Sequence, residues 1–474
     1  MKNIILFCII IAVFSSCDLF NVNYDFQSEP ARQEPVRRKW TFIIYMAADN
    51  DLESAAIADL NELEAVQHGD VPVSILVLLD RSSRYDMTNG NWSDTRLFEV
   101  KSDPNGLTGA IVSKRIDCLE LGLTTDSETD LNTADPLVLS RLLDFAKRSY
   151  PADHYALFIW GHGTGWRSGK VPENSDEADR TGDSPNRSSP QNLSPAPLKA
   201  IAFDDTMGQY MSLPSFGKAI AGKGLSLIGF DTCHAALLEV AYQIRNDAEL
   251  FVGSEGAIPS TGWDYAALFS DFYKSPELSV EDLGDAIQNQ FSRQYAGLYN
   301  ATISQIKLAH VNDLFYAFNV FAGTVADAIT SESSRNYILD QVLHHVESYY
   351  FTSFPSDLFI DIYDFSKRIS SVRADITPDI TRQNFIYSTA ASLETALARA
   401  IPSSWAVNGT TRKMGVNVIP LQGPAVPAAM HELAYVRGSM AMEKSAFVEN
   451  SEHWVPNSVP VSGSFLDKLF YWTY

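Results

Sequence analysis

A histidine and a cysteine that each follow an apolar run are the residues of this chain best suited to chemistry. His162 lies between two glycines directly after the run 156–160, and Cys233 follows the run 225–230 by two residues. Runs of this length, separated by long connections, are typical of buried parallel strands, whose carboxyl ends share one edge of a sheet. A thiol and an imidazole that meet at such an edge are the groups that a nucleophilic cysteine enzyme requires.

Cys233 differs in two ways from a cysteine that only fills a core. Its neighbours Asp231, Thr232 and His234 are polar, whereas a buried cysteine usually behaves as a small apolar residue. The apolar spacing over 236–244 also predicts a helix that opens at Cys233, and the positive end of a helix favours a thiolate. The alternatives are an inert buried thiol and a disulfide to Cys118, which would consume the nucleophile.

The glycines around His162 have more than one interpretation. A Gly-x-Gly-x-Gly loop for a dinucleotide is excluded by its context, because residues 166–172 do not open a helix. Glycines beside a catalytic histidine let backbone N–H groups approach a reacting carbonyl. The alternative is a turn in which His162 only caps backbone groups, and spacing alone does not separate these two.

Strand and helix patterns alternate from residue 39 to residue 270 and predict an α/β sandwich. Asn50 and Glu53 have the spacing of a capping box at the start of a helix. Up to His162 we predict strands over 40–46 and 73–79, a hairpin of 97–100 with 111–116, and helices over 52–63 and 137–148. After Cys233 we predict a helix over 236–244 and a strand over 250–253.

Two segments depart from this alternation. Residues 167–200 are rich in Ser, Pro, Asn and Asp, and the composition predicts a disordered insertion. Residues 271–474 form a mainly helical carboxyl-terminal region, with helices near 281–295, 311–329 and 334–350 and a late strand near 414–420.

The amino terminus predicts export. Lys2 precedes an apolar run over 4–14 that has the length of a signal-peptide core, and Ser-Ser-Cys follows. This ending is similar to a bacterial lipoprotein signal, so residues 1–17 form the predicted signal and Cys17 the lipidated residue. Residues 18–38 then form a flexible tether. We predict a bacterial cell-envelope protein that is lipid-anchored in the periplasm or at the surface; plain secretion is the alternative.

The composition excludes several classes of protein. The formal net charge of -22 argues against a nucleic-acid partner and favours cationic substrates. Of the 4 cysteines, only Cys118 and Cys233 lie beyond the predicted signal, so the chain is no disulfide scaffold. His-Glu-x-x-His is absent, which excludes that type of zinc hydrolase, and His344-His345 has the pattern of a solvated helix face.

Asp204-Asp205 is the remaining pair of carboxylates that merits attention. Such a pair either binds calcium or structures a turn, and we favour the turn. We therefore expect no required cofactor and no metal ligand, with calcium at this pair as the alternative.

Several phrases of the chain resemble the clostripain family of cysteine peptidases. The resemblance is strong over 39–270 and weaker to about 420. The phrases that carry it are IYMAADNDL (44–52), WGHG (160–163), FDDT (203–206) and FDTC (230–233), with shorter matches at 239–242, 254–255, 262–265, 304–306 and 361–365. Each phrase alone is weak, whereas the set is specific. The polar neighbours Thr232 and His234 depart from the small or apolar residues expected there.

The resemblance implies a caspase-like α/β/α fold with a mostly parallel sheet and a His162/Cys233 dyad. It implies that Asp231 lies at the floor of the primary specificity pocket and selects Arg or Lys; the alternative for Asp231 is a helix cap. Cys233 would attack the peptide carbonyl to give a thioester, the N–H groups of Gly163 and Cys233 would bind the oxyanion, and His162 would protonate the leaving amine.

The insertion between His162 and Cys233 is where family members carry activation cleavage sites. We therefore expect self-cleavage after one of the basic residues Lys170, Arg180, Arg187 and Lys199. An idle loop is the alternative. The leading competitor to an endopeptidase with basic protein or peptide substrates is a non-catalytic, surface-anchored binding module that retains the peptidase fold.

Overall fold

The structure is a computed structural model, and it describes residues 38–69, 71–168, 199–297, 301–343, 345–346, 348–350, 358–406 and 414–418. The predicted signal peptide, nearly all of the tether and most of the 167–200 insertion lie outside the described residues. Within the described part of the chain, no helix has the length and apolarity needed to cross a membrane.

The described chain contains a large sheet and two small ones. The strands in chain order are β1 (Arg38–Ala48), β2 (Val73–Arg81), β3 (Thr95–Glu99), β4 (Lys114–Arg115), β5 (Ala152–Trp160), β6 (Gly163–Ser168), β7 (Lys199–Asp204), β8 (Gln209–Met211), β9 (Leu227–Asp231), β10 (Leu250–Gly253), β11 (Thr302–Lys307), β12 (Ser348–Tyr350), β13 (Leu358–Asp361), β14 (Ser403–Ala406) and β15 (Gly415–Val418). The large sheet has the order β14-β11-β10-β9-β5-β1-β2-β3-β4, and the small sheets are β12-β13-β15 and β6-β7-β8.

The centre of the large sheet is parallel and its flanks are antiparallel. The five strands β10, β9, β5, β1 and β2 run parallel to one another. The outer strands β3, β4, β11 and β14 pair antiparallel. Parallel strands are buried on both faces, which explains why the runs that form them are apolar throughout rather than alternating.

Side chains of the central strands point alternately into two separate cores. On β1, Ile43 and Tyr45 belong to one core, whereas Phe42 and Ile44 belong to the other. This two-residue period follows from strand geometry, in which successive side chains face opposite sides of the sheet. The sheet is therefore the middle layer of a sandwich.

Helices form the two outer layers. The helices are α1 (Glu53–Glu64), α2 (Pro136–Ser149), α3 (Leu213–Ile220), α4 (Leu238–Ile244), α5 (Tyr265–Lys274), α6 (Val280–Gln294), α7 (Val311–Ala328), α8 (Glu332–Tyr337), α9 (Ile362–Ser371), α10 (Arg373–Ile376) and α11 (Ile380–Ala400). Helices α1, α5 and α6 pack on the core that contains Phe42. Helices α2, α3, α4, α7, α9 and α11 pack on the core that contains Ile43. Short 3-10 turns lie at Leu119–Leu121 and Leu308–His310, and a π-helical turn lies at Ile338–Leu343. The predicted α/β/α sandwich with a mostly parallel sheet is confirmed.

The region beyond residue 270 contributes to the large sheet as well as to the helical layers. Strands β11 and β14 extend the sheet from β10. Strand β15 falls in the range predicted for a late strand. The segments before and after residue 270 therefore contribute strands to the same large sheet.

The predicted capping box at Asn50 and Glu53 is wrong. Glu53 turns away from the helix start and forms a buried ion pair with Arg81, with 2.6 Å between Oε1 and Nε. Both side chains have 0% exposure. Asn50 instead donates to Ala47 and Phe203 and accepts from Leu52 N–H. A long-range charge pair has replaced the local cap, which no pattern of neighbouring residues reveals.

Candidate active site

Strands β5 and β9 carry His162 and Cys233 to the same edge of the sheet. The two strands are adjacent and parallel, and their register pairs Trp160 with Asp231. His162 is two residues beyond Trp160, and Cys233 is two residues beyond Asp231. The equal offsets bring both residues out of the sheet at the same level.

Gly163 lets the two segments approach closely. A Cβ atom at this position would lie 2.6 Å from the Cys233 carbonyl oxygen and 2.7 Å from the Thr232 Cβ atom. Real Cβ atoms do not come so near, so any larger residue would push the histidine segment away from the cysteine segment. Close contact between the histidine segment and the cysteine segment therefore explains why position 163 is a glycine.

The Cys233 sulfur is partly buried and forms hydrogen bonds with the backbone of one residue, Ile258. Ile258 N–H donates to Sγ over 3.3 Å, and the thiol donates to the Ile258 carbonyl oxygen over 3.6 Å. Burial raises the pKa of the Cys233 thiol, and the Ile258 N–H partly offsets this. The predicted helix at Cys233 is wrong, because α4 begins only at Leu238. His234 has φ +53°, which interrupts any helix between these positions.

Asp51 orients the His162 ring. The distance from His162 Nε2 to Asp51 Oδ1 is 2.5 Å. This bond holds the pKa of the Asp51 carboxyl below its usual range. Phe203 packs edge-on against the imidazole, with ring centroids 6.0 Å apart. Because Asp51 engages Nε2, the Nδ1 atom is the one available for proton transfer.

Asp231 is buried beside the cysteine and receives hydrogen bonds on one oxygen. Trp263 N–H and the Tyr265 hydroxyl donate to Oδ2 over 3.0 and 3.1 Å. Oδ1 is buried without a hydrogen-bond partner among the described residues. Burial raises the pKa of Asp231 to about 7. Trp263 and Tyr265 are distant from Asp231 in the sequence, and the next helix, α4, begins only at Leu238. Asp231 does not cap that helix, so the helix-cap alternative is wrong.

Gly262 and Asp59 complete the surroundings of Asp231. Gly262 has φ +57°, and a Cβ atom there would lie 2.7 Å from Asp231 Oδ2. Asp59 is buried on α1 and accepts from Trp160 Nε1 over 2.6 Å. Burial, and then the charge of Asp231, raises the pKa of Asp59. The surroundings of Asp231 are therefore acidic.

The two carboxylates of the predicted Asp204-Asp205 pair go to different places. Asp205 Oδ2 accepts from the Tyr85 hydroxyl over 3.0 Å. Asp204 joins Asp49 and Asp80 in a buried group whose oxygens are close enough for a metal ion. The expectation that the chain requires no cofactor, with calcium at the adjacent pair as the alternative, stays a prediction.

Other predicted residues lie apart from this site or outside the described residues. Cys118 and Cys233 are both free thiols, so the alternative of a disulfide between them is wrong. Lys199 begins β7, and only its backbone is described. Cys17, Lys170, Arg180 and Arg187 lie outside the described residues, and their lipidation or cleavage stays a prediction.

Sequence reasoning did not identify the roles of Asp51, Ile258 and Tyr265. The sequence does contain a feature that points to Asp51, because this residue is the last of three polar residues that directly follow a buried strand. Finding its partner requires that β1 lie beside β5, which one sequence does not reveal. Ile258 and Tyr265 come from a loop and a helix start whose positions depend on packing across the sheet edge.

Comparisons with known proteins agree with this architecture. The sequence profile of the clostripain family matches residues 44–178 and 188–407. Clostripain from Hathewaya histolytica is 26% identical over 277 residues, which are 53% of this chain and 46% of that protein. The chain thus spans about half the length of this curated relative.

Two solved structures share the fold. An inactive zymogen C11 protease from Parabacteroides distasonis has a TM-score of 0.54 at 16% identity, covering 81% of this chain and 92% of its own. A secreted C11 cysteine protease from Bacteroides thetaiotaomicron, solved with an irreversible peptide inhibitor, has a TM-score of 0.51 at 18% identity, covering 83% and 96%. Because the family profile matches most of the chain, and both structures have its fold, this protein belongs to the clostripain family.

Proposed function

We propose that this protein is a cysteine endopeptidase that cleaves peptide bonds after arginine or lysine. The observation that carries the proposal is the register of β5 and β9, which brings His162 and Cys233 to one level of one edge. Asp231, directly before this edge, adds a buried carboxylate oxygen without a partner among the described residues. Family membership supports the reaction class.

The proposed reaction is acyl transfer through Cys233. The sulfur attacks the carbonyl carbon of the scissile peptide, and the N–H groups of Gly163 and Cys233 stabilise the oxyanion. His162 takes the proton of the Cys233 thiol at Nδ1 and passes it to the leaving amine, so the C–N bond breaks and a thioester remains. Water then hydrolyses the thioester, with His162 accepting its proton. Asp51, on Nε2, acts as a positioning residue that keeps Nδ1 directed at the reaction.

The specificity for basic residues is proposed from the state of Asp231. A guanidinium or ammonium group that reaches Oδ1 would supply the hydrogen bonds that this oxygen lacks. A cation would also favour the charged form of a carboxylate whose pKa burial has raised to about 7. Neutral side chains offer neither benefit, and the buried carboxylate would then disfavour their binding.

A non-catalytic binding module is the second candidate, and one observation favours it. The Cys233 thiol rests against both the N–H and the carbonyl of Ile258, and burial raises its pKa. A protein that uses the cleft only for binding can keep its thiol in this protonated state. An enzyme must free the sulfur from the Ile258 carbonyl when substrate enters.

Digestion of an unstructured protein distinguishes these candidates. We expect mass spectrometry of the products from a denatured, alkylated substrate to show cleavage on the carboxyl side of Arg and Lys, with other bonds intact. Loss of cleavage after thiol alkylation of the enzyme is expected as well. Absence of products at high enzyme concentration would favour the binding module, and cleavage without a basic preference would remove the role of Asp231.

Self-cleavage within the 167–200 segment is part of the proposal. The segment contains basic residues and lies between the two proposed catalytic residues in the chain. One of the two solved structures with this fold is that of an inactive zymogen. We propose that Cys233 performs the cut at one of the four basic residues named above.

A further inference from the structure

A groove on the outer face of α1 is not part of the site described above. It has a volume of about 370 Å³ and lies between α1 and two loops, the one from β2 to β3 and the one from β3 to β4. Ser54, Ile57 and Ala58 of α1 line it, together with Asp86 and Leu107 of the loops. This volume is in the range of sites that bind small ligands or side chains. We call it the α1 groove.

Two large apolar side chains are exposed at the α1 groove. Leu107, which lines it, is 67% exposed, and Met87, which lies between the lining residues Asp86 and Thr88, is 76% exposed. Large apolar side chains that stay exposed beside a groove are typical of a surface that binds a partner. Their exposure therefore indicates an apolar ligand.

The loops of the α1 groove are held in place before any ligand binds. Asn89 links the two loops, because its side chain donates to the Gly109 carbonyl over 3.1 Å. The buried pair of Glu53 and Arg81 anchors the first loop at Asp86, whose N–H donates to Glu53 over 2.9 Å and whose carbonyl accepts from Arg81 over 2.8 Å. A groove that is already ordered loses little conformational entropy on binding, so apolar contacts there yield affinity.

The strand order puts the α1 groove on the leaving-group side of the proposed site. Strands β9, β5, β1 and β2 are neighbours in that order and run parallel, so the segments that follow them leave the sheet at one edge. Cys233 follows β9, His162 follows β5, Asp51 follows β1, and the loop of Met87 follows β2. In the proposed reaction the acyl part stays on Cys233 and His162 protonates the amine. The chain beyond the scissile bond therefore continues from β5 towards β1 and β2.

The distance across this edge matches a few residues of extended peptide. Neighbouring strands are about 4.8 Å apart, so β9 and β2 are separated by about 14 Å. An extended chain advances about 3.3 Å per residue, so the second to fourth residues after the scissile bond reach the level of the α1 groove. Ser54, which lines the groove, is three residues beyond Asp51 and thus one helical turn from the proposed site.

The charges at the α1 groove are those of carboxylates. Asp86 forms an ion pair with Arg81, with 3.2 Å between Oδ1 and Nη2. Glu62 also lines the groove, and its Oε2 accepts from the backbone N–H of Tyr265 over 2.9 Å. An acidic side chain of a substrate would meet like charge at Glu62, whereas a neutral apolar side chain would not.

We propose that the α1 groove binds an aliphatic side chain of the polypeptide substrate, from one of the second to fourth residues after the scissile bond. The apolar lining and the exposed Leu107 favour an aliphatic side chain, and Glu62 disfavours an acidic one. The groove thus adds a preference on the leaving side of the bond to the basic preference on the other side. Its place in the reaction rests on the proposed function, whereas the binding itself does not require hydrolysis.

Peptide binding to the full-length mature chain with the substitution Cys233→Ala tests the proposal, because this protein does not consume the peptide. Fluorescent peptides carry one arginine, followed at the second, third or fourth position by leucine, glycine or aspartate. We expect leucine at one of these positions to lower Kd at least about fivefold relative to glycine, since burial of its side chain is favourable. Aspartate at the same position is expected to raise Kd above that of glycine. Absence of any difference between the leucine and glycine peptides at all three positions would overturn the proposal.

A pair of leucine variants in the same background locates the binding site. Leu107→Ser removes an exposed apolar side chain from the α1 groove and is expected to abolish the leucine preference. Leu119→Ser is the matched control, because Leu119 is 76% exposed and its neighbours Cys118 and Leu121 pack in the core on the opposite face of the sheet from α1. This variant should keep the preference. A preference that survives Leu107→Ser, or that both variants reduce equally, would overturn the assignment to the groove.

Hydrolysis of the same peptides is measured separately, on the wild-type chain. Wild-type protein that hydrolyses arginyl peptides without any preference for leucine contradicts only the role of the α1 groove. Binding that depends on leucine, without hydrolysis of any peptide, contradicts only the proposed peptidase.

Discussion

Replacing Cys233 with alanine is expected to lower kcat/KM for peptide hydrolysis by at least about 10³-fold, because no other group can form the thioester. The fold should persist, since the side chain is small and forms its polar contacts with one residue, Ile258. Initial rates with an arginyl peptide amide, together with circular dichroism, measure both effects. The same variant is expected to remain uncut between residues 167 and 200 when its intact mass is measured.

Cys118→Ala is the matched control for this prediction. Cys118 is also a free thiol, but it is completely buried within the core, and its thiol donates to Glu120 rather than lying beside a histidine. This variant should retain wild-type hydrolysis. Hydrolysis that survives Cys233→Ala, or an equal loss in the Cys118 variant, would contradict the assignment of the nucleophile. Identical fragments from the Cys233 variant and the wild type would show that another protease makes the cut.

The substitution Asp231→Asn is expected to lower kcat/KM for arginyl substrates about 100-fold or more, equivalent to about 3 kcal/mol. Asparagine keeps an oxygen that can accept from Trp263 and Tyr265, so the change removes mainly the charge. The kcat/KM for a citrulline substrate, which has the shape of arginine without its charge, should change little in this variant. An equal loss with both substrates would mean that Asp231 only supports the fold.

The raised pKa of Asp231 also predicts a pH dependence. Burial raises this pKa to about 7, so the carboxyl is protonated below that value and charged above it. The rate with arginyl substrate relative to citrulline substrate should therefore rise as pH passes through about 7. The Asp231→Asn variant should lack this change, and a ratio independent of pH in the wild type would contradict the pocket assignment.

The architecture could be predicted because its central strands are apolar on both faces. The runs that became β1, β2, β5 and β9 needed no partner to be recognised, since parallel strands buried between helices have this pattern. The placement of His162 and Cys233 followed from the same runs, because each residue comes two positions after a strand. Neither inference required the order of strands in the sheet.

The features that the sequence did not predict all depend on contacts between distant segments. Glu53 forms an ion pair with Arg81 across the sheet edge instead of capping α1. The backbone at His234 adopts a positive φ, which delays α4 to Leu238 although the apolar spacing begins earlier. Asp51 acquires its role only because β1 lies beside β5. Apolar periodicity identifies elements, but it does not reveal which elements become neighbours.

Covalent labelling by a peptidyl acyloxymethyl ketone tests the shared cleft most directly, because the reaction requires a nucleophilic sulfur, a nearby imidazole and a filled specificity pocket at once. Peptide mapping of the wild-type chain should place an arginyl probe on Cys233, with at least about tenfold slower labelling by the citrulline analogue. His162→Ala should slow the arginyl reaction by a similar factor while the fold persists. Labelling of Cys118, or labelling of Cys233 at rates that neither the probe's charge nor His162 changes, would contradict the account.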